Sequence, residues 1–440
     1  MMSRLLRYAV PMLLLAPSAF AQDAAPTIDT GNTTWLLVCC ALVMLMTPGL
    51  AFFYAGMVHH KNVVSTLLQN FVALAIVGLL WVVVGYSLAF SPGNGYIGGL
   101  DFVLLDGVMN SVNAGGYPDM AFMAFQMMFA IITPALITGA VAERVNFSAW
   151  MLLMGLWSLI VYVPVANWVW NSTGWLFKDG ALDFAGGLVV HITSGCAGLV
   201  AALMLGKRLK GTEPTLPNDV PMIMLGAALL WFGWFGFNAG SALAAGTLAA
   251  HAFVTTFVGG AAAFLSWMVI DWFRTGRPSA VGAATGIVVG LVTITPAAGF
   301  VSVGHAILMC AVSGVICNII AHYIKNKTHL DDALDVFACH GLGGILGSIM
   351  TGLFASSAVN PAVATQGLLI DGSTTLFLVN LKATAIVVAY ACVVTFVLIK
   401  GVNLFIKLRV AEDKENHGLD KSLHGEHKDA ISALSSRVAA

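Results

Sequence analysis

Polar clusters divide the chain into eleven apolar stretches, approximately 34–57, 63–90, 120–141, 148–169, 186–206, 220–240, 248–272, 279–297, 302–324, 334–355 and 374–399. A hydrocarbon core about 30 Å thick is crossed by a helix of roughly 20 apolar residues. In lipid the backbone must satisfy its own N–H and C=O groups, so stretches of this length form helices. Only 9% of residues are charged and 59% are hydrophobic, against about 25% charged in soluble domains. The expectation is an all-α polytopic membrane protein with eleven transmembrane helices. A net charge of -1 offers no broad basic surface and argues against a nucleic-acid partner.

Residues 1–21 read as a cleaved signal peptide, with Arg4 and Arg7 before an apolar core at 10–16 and Ala19-Phe20-Ala21 as the cleavage site. The mature chain then begins at Gln22, with a transmembrane domain over 22–408 and a cytoplasmic tail over 409–440. This type of signal favours a bacterial inner membrane. Loops after odd-numbered spans carry Lys61, Arg144, Lys207, Arg208, Lys210, Arg274, Arg277, Lys325, Lys327 and Lys400, whereas the opposite loops carry little beyond Lys178. The positive-inside rule therefore exports the N-terminus and leaves the C-terminus in the cytoplasm. Lys382 is the exception, and it reads as the outer end of a shortened last helix from which it snorkels. The seven cysteines fall within apolar stretches, so a disulfide framework is not expected.

Span five contains His191-Ile-Thr-Ser-Gly195-Cys-Ala-Gly198, and span ten contains His340-Gly-Leu-Gly-Gly344-Ile-Leu-Gly347. A weaker echo links Phe53-Tyr-Ala-Gly56 in span one to Phe237-Asn-Ala-Gly240 in span six. Five is an odd number of crossings, so these matches imply two inverted five-helix repeats plus one extra helix, with a site near the midplane. Chance matching of glycine-rich helices is the bland alternative, since the chain has 46 glycines.

An ionisable residue at lipid depth is read first as functional. The two histidines approach mid-depth from opposite faces, with small residues around them allowing close helix contact. Two adjacent imidazoles cannot both be charged cheaply, so a shared proton is expected. Each histidine could instead satisfy a neighbouring helix. A metal is a further alternative, although two histidines without a carboxylate or thiolate set make a poor zinc site, and no metal or cofactor is expected.

Phe125 and Phe129 share one helix face near the exported end of span three, Trp170 ends span four on that side, and Phe237 and Ser241 close span six there. Ring quadrupoles and one hydroxyl suit a vestibule for a small cation, while an interfacial aromatic belt would place a residue such as Trp170 in the same way. Asp183 precedes span five and reads chiefly as a cap for its first N–H groups, with a contribution to the entrance field as the lesser role.

The stretches Thr47-Pro-Gly-Leu-Ala-Phe-Phe-Tyr-Ala-Gly56, Ala124-Phe-Gln126, Gly139-Ala-Val-Ala-Glu-Arg144, Asp183-Phe-Ala-Gly-Gly-Leu-Val-Val-His191, Gly233-Trp-Phe-Gly-Phe-Asn-Ala-Gly-Ser241 and Asp335-Val-Phe-Ala-Cys-His340-Gly resemble the ammonium transporter family (Amt/Mep/Rh) over nearly the whole mature chain. The resemblance implies ammonium, ammonia and methylammonium as cargo and a homotrimer with one pore per subunit. It carries a recruitment site onto Phe129, Trp170 and Ser241, a phenyl gate onto Phe129 and Phe237 with Phe125 beside it, and a twin-histidine pair onto His191 and His340. Asp183 matches the family's acidic residue near the entrance. Gly418-Leu-Asp420 and His424-Gly-Glu426 resemble the family's tail signature, after which the chain departs from the pattern and continues to Ala440. A PII-class signalling protein is the cytoplasmic partner that the resemblance implies.

The function expected from these residues is recruitment and deprotonation of ammonium, conduction of ammonia along an apolar path, and separate relay of the proton. An electroneutral gas channel is the nearest rival. An ammonium sensor acting through the tail is less favoured, because only about forty residues follow Lys400 and they hold no signalling domain. An intramembrane enzyme lacks a nucleophile with a suitably spaced base, or a metal set.

Overall fold

The computed structural model describes residues 27–209 and 216–427. The signal-peptide reading, Lys210 and the final residues 428–440 lie outside the described part. Among the described residues the fold is helical, with only isolated β-bridges besides. Ten helices are long and apolar enough to cross a membrane: α1 (Thr30–Met57), α2 (His60–Phe90), α3 (Asp119–Val141), α4 (Phe147–Lys178), α5 (Gly187–Leu205), α6 (Val220–Gly240), α7 (Thr247–Thr275), α9 (Val303–Lys327), α10 (Phe337–Phe354) and α11 (Thr375–Phe405). The shorter α8 (Ala280–Ile294) completes the set of eleven expected spans. It stops early because Pro296 has no N–H with which to continue the hydrogen-bond ladder.

The packing of the first five helices recurs in the next five. Helix α1 lies against α3, α2 against α3 and α4, and α3 against α5. Correspondingly, α6 lies against α8, α7 against α8 and α9, and α8 against α10. The halves meet most extensively along α1 and α6, and again where α5 and α10 each pack on the other's first turns. These contacts place the counterparts α1/α6 and α5/α10 on one central seam. Gly195 and Gly341 make the second crossing close, since a methyl group added at Gly195 would collide with the Gly341 backbone.

Helix α11 departs from the expected shortened form. It runs 31 residues, and Lys382 sits within it, paired with Asp179 and 6.0 Å from the Trp175 ring centroid. A partner carboxylate just past the end of α4 accompanies that lysine.

The described tail clasps the starts of α2 and α4. Asp420 accepts hydrogen bonds from the Val64 and Ser65 N–H groups at the start of α2, and the Leu419 N–H donates to Asn62. Gly418 adopts φ +95 against Lys61, and Gly425 adopts φ +67; both values favour a residue without Cβ. His424 reaches Ser65 and meets the Phe147 ring edge-on. Each fixed position in the Gly-Leu-Asp and His-Gly stretches thus has a contact or backbone requirement.

Candidate functional site

Both helices that bring the histidines inward begin irregularly. Each starts with a six-residue π-helical stretch, Gly187–Ile192 in α5 and Phe337–Leu342 in α10. Such wide turns shift the direction of the side chains they carry and are frequent at functional sites. Asp183 anchors the first: its carboxylate accepts the N–H groups of Gly186, Gly187, Leu188 and Val189 at 2.6–3.2 Å. Gly186, at φ +121, makes the entry turn. Asp183 lies outside the lining of the vestibule and of the slot beneath it.

The vestibule is a cavity of about 160 Å³ lined by Phe122, Phe125, Gln126, Phe129, Trp170, Phe184, Ser241 and Leu243. Trp170 stands perpendicular to Phe129, with ring centroids 5.7 Å apart, and its indole N–H donates to the Asp183 carbonyl. That bond fixes the ring and leaves its π face for the cavity. The Ser241 hydroxyl donates to the Phe237 carbonyl at 2.8 Å, so the proton is engaged and the oxygen lone pairs remain as acceptors.

Phe129 and Phe237 close the floor, stacked with centroids 4.1 Å apart. Phe125 meets Phe129 edge-on at 4.9 Å. Beneath the stack lies a slot of about 10 Å³, whose walls are Met, Leu, Ile and Val side chains with Trp234, Phe237, His191 and His340. This space is close to the minimum needed for one water-sized molecule.

The His191 and His340 rings are 1% and 2% exposed, and their Nδ1 atoms are 3.3 Å apart. A hydrogen bond between two ring nitrogens requires one protonated and one bare nitrogen, so the pair shares a proton at this contact. His191 also stacks on Trp234 at 5.5 Å, while its Nε2 is buried without a hydrogen-bond partner. Trp234 is held by its own N–H bond to Thr295. Among the described residues no group of three or more metal-ligating side chains is assembled.

Phe125, Phe129, Trp170 and Ser241 share the vestibule, Phe237 joins its floor to the slot, and the two histidines line the slot. Sequence reasoning overlooked Trp234 and Asp332. The tryptophan was visible beside Phe237 in the Gly-Trp-Phe-Gly-Phe stretch. Asp332 precedes His340 by the same eight residues that separate Asp183 from His191. Its carboxylate accepts the Phe337 N–H at 2.7 Å and so caps the second π-helical stretch. The spacing was the available signal.

Known proteins resemble this chain over most of its length. Residues 34–429 match the model of the Ammonium Transporter Family. The chain is 48% identical over 403 residues to an ammonium transporter of Bacillus subtilis, covering 91% of this chain and 98% of the relative. It is 46% identical over 401 residues to ammonium transporter Amt1 of Archaeoglobus fulgidus, covering 91% and 99%. The crystal structure of Saccharomyces cerevisiae Mep2 superposes with a TM-score of 0.81 at 39% identity, covering 88% of this chain and 89% of that one.

Proposed function

The chain belongs to the ammonium transporter family and is a multi-pass membrane protein that transports ammonium; on that premise we propose how its residues divide the work. Ammonium is recruited in the vestibule by the faces of Phe129 and Trp170 and by the Ser241 oxygen. It is deprotonated near the Phe129/Phe237 gate, with Phe125 supporting the stack. Ammonia crosses the slot along His191 and His340, and its proton passes separately through the imidazole pair. Asp183 holds the first π-helical stretch and the Trp170 ring in place.

One observation carries this reading: a stacked aromatic gate lies directly between a cation-suited vestibule and an apolar slot containing a hydrogen-bonded histidine pair. Moving a charge without compensation into such a slot costs many kcal/mol. Neutral ammonia avoids most of that cost. Ring faces and a lone-pair donor compensate the cation above the gate, where water has been partly removed.

The same reading extends to assembly and location. The protein works as a homotrimer with one pore per subunit in a bacterial inner membrane, after removal of residues 1–21. Its N-terminus is exported, and a PII-class protein meets its cytoplasmic face. Family membership supports this assembly, and the asymmetry of Lys and Arg between alternate loops supports the orientation.

Trp170→Ala tests recruitment directly. In proteoliposomes the variant should take up labelled methylammonium about tenfold more slowly at limiting substrate and near the parent rate at saturation, the loss expected for a partly desolvated cation–π contact. Equal uptake by both proteins at limiting substrate would count against the vestibule assignment.

A further inference from the structure

The vestibule contains a polar side chain that the recruitment scheme leaves unused. Gln126 lies on α3 three residues before Phe129, a spacing that puts both on one helix face, and it lines the same cavity as Ser241 and Trp170. It is 8% exposed, and its Oε1 is buried with no hydrogen-bond partner. A buried amide oxygen left unpaired is costly, and most native examples have a reason.

A cation with four N–H donors supplies that reason. Ser241 offers one oxygen, and the Trp170 indole N–H is committed to Asp183. Aromatic faces attract charge without replacing the directional bonds that ammonium makes with water. Gln126 can turn its terminal amide about a soft torsion, and because its oxygen has no partner, that turn breaks no bond made by the oxygen.

We propose that Gln126 is a substrate-binding residue of the vestibule, its amide oxygen accepting an N–H of the incoming ammonium as the second oxygen ligand beside Ser241. This inference rests on the recruitment reading above and adds a binding group to it. A charge-assisted hydrogen bond is roughly twice as strong as a neutral one, so its loss acts on affinity more than on turnover.

The test is initial uptake of labelled methylammonium by purified protein in proteoliposomes, a readout that does not depend on whether charge moves. Gln126→Leu should raise the half-saturating concentration about tenfold while leaving the maximal rate within about twofold of the parent. Gln126→Glu keeps the side-chain shape and strengthens the acceptor; at external pH 8 it should lower half-saturation below the parent value. Unchanged half-saturation in Gln126→Leu, or a fall in maximal rate alone, overturns the proposal. So does a Gln126→Glu variant that binds no more tightly than the parent, a comparison available even if Gln126→Leu fails to fold. Absence of saturable uptake by the parent protein would instead overturn the transport scheme itself.

Discussion

Two aspartates in equivalent places show how single residues divide structural and titrating behaviour. Both oxygens of Asp183 are engaged by backbone N–H groups. Asp332 uses one oxygen for Phe337, while its Oδ1 is buried without a partner. Burial first, and the charge of Asp335 second, push the Asp332 carboxyl up to about 7, against the lowering effects of backbone N–H groups and Arg144. The folded protein therefore retains a proton that the unfolded chain releases near pH 4. The stabilisation from this group is fully present below about pH 4 and is lost as pH rises through about 7. Asp332→Asn should remove that component: thermal unfolding in detergent should fall less between pH 5 and pH 8 than in the parent. Parallel pH profiles for the two proteins would contradict this account.

At the level of elements, the decisive contact is the crossing of α5 and α10. Because the Gly195 Cβ position falls on the Gly341 backbone, any larger residue must separate the segments that bring His191 and His340 together. Gly195→Val should destabilise the fold by about 3 kcal/mol, at the upper end for an overpacked core. Gly401→Ala is the control, since nothing lies within 4 Å of that position's added methyl, and it should be neutral or slightly stabilising. Similar unfolding midpoints for the two variants would show that the crossing tolerates separation. The sequence made the eleven spans legible because lipid demands long apolar helices, and matching His–Gly patterns identified α5 and α10 as a pair. It did not reveal the π-helical starts, which depend on a one-residue widening of the hydrogen-bond ladder and have no hydrophobic period of their own. Lys382 was read as a helix end, whereas α11 begins at Thr375; its partner, Asp179, lies in a distant turn that becomes adjacent only after α4 and α11 pack. Phe125, Phe129, Trp170, Ser241 and Phe237 were legible as a cluster of aromatic rings with one hydroxyl. Trp234 was not singled out, because a tryptophan in an apolar helix gives no sign that it will stack on an imidazole.

Across the whole molecule, repeated packing in the two halves puts α5 and α10 on a shared seam, with the vestibule, gate and histidine slot in series along it. In the proposed scheme this arrangement separates the problem of attracting a cation from that of crossing a dry interior. The described tail is fastened to the starts of α2 and α4 and the end of α5 through Asp420, His424 and the Arg409–Glu415 pair, with Glu415 also accepting the Leu209 N–H. A change at this surface therefore has a physical route to the first half of the bundle. In the proposed scheme ammonia and its proton travel separately, with the proton passing through the histidine pair. The most direct measurement is the current evoked by ammonium pulses across a concentration and pH series in proteoliposomes containing the parent, His191→Ala or His340→Ala protein. The account predicts a saturable current in the parent that is lost or altered in selectivity in both variants. Ammonium uptake by the parent without current, or unchanged current and selectivity in both variants, would contradict it.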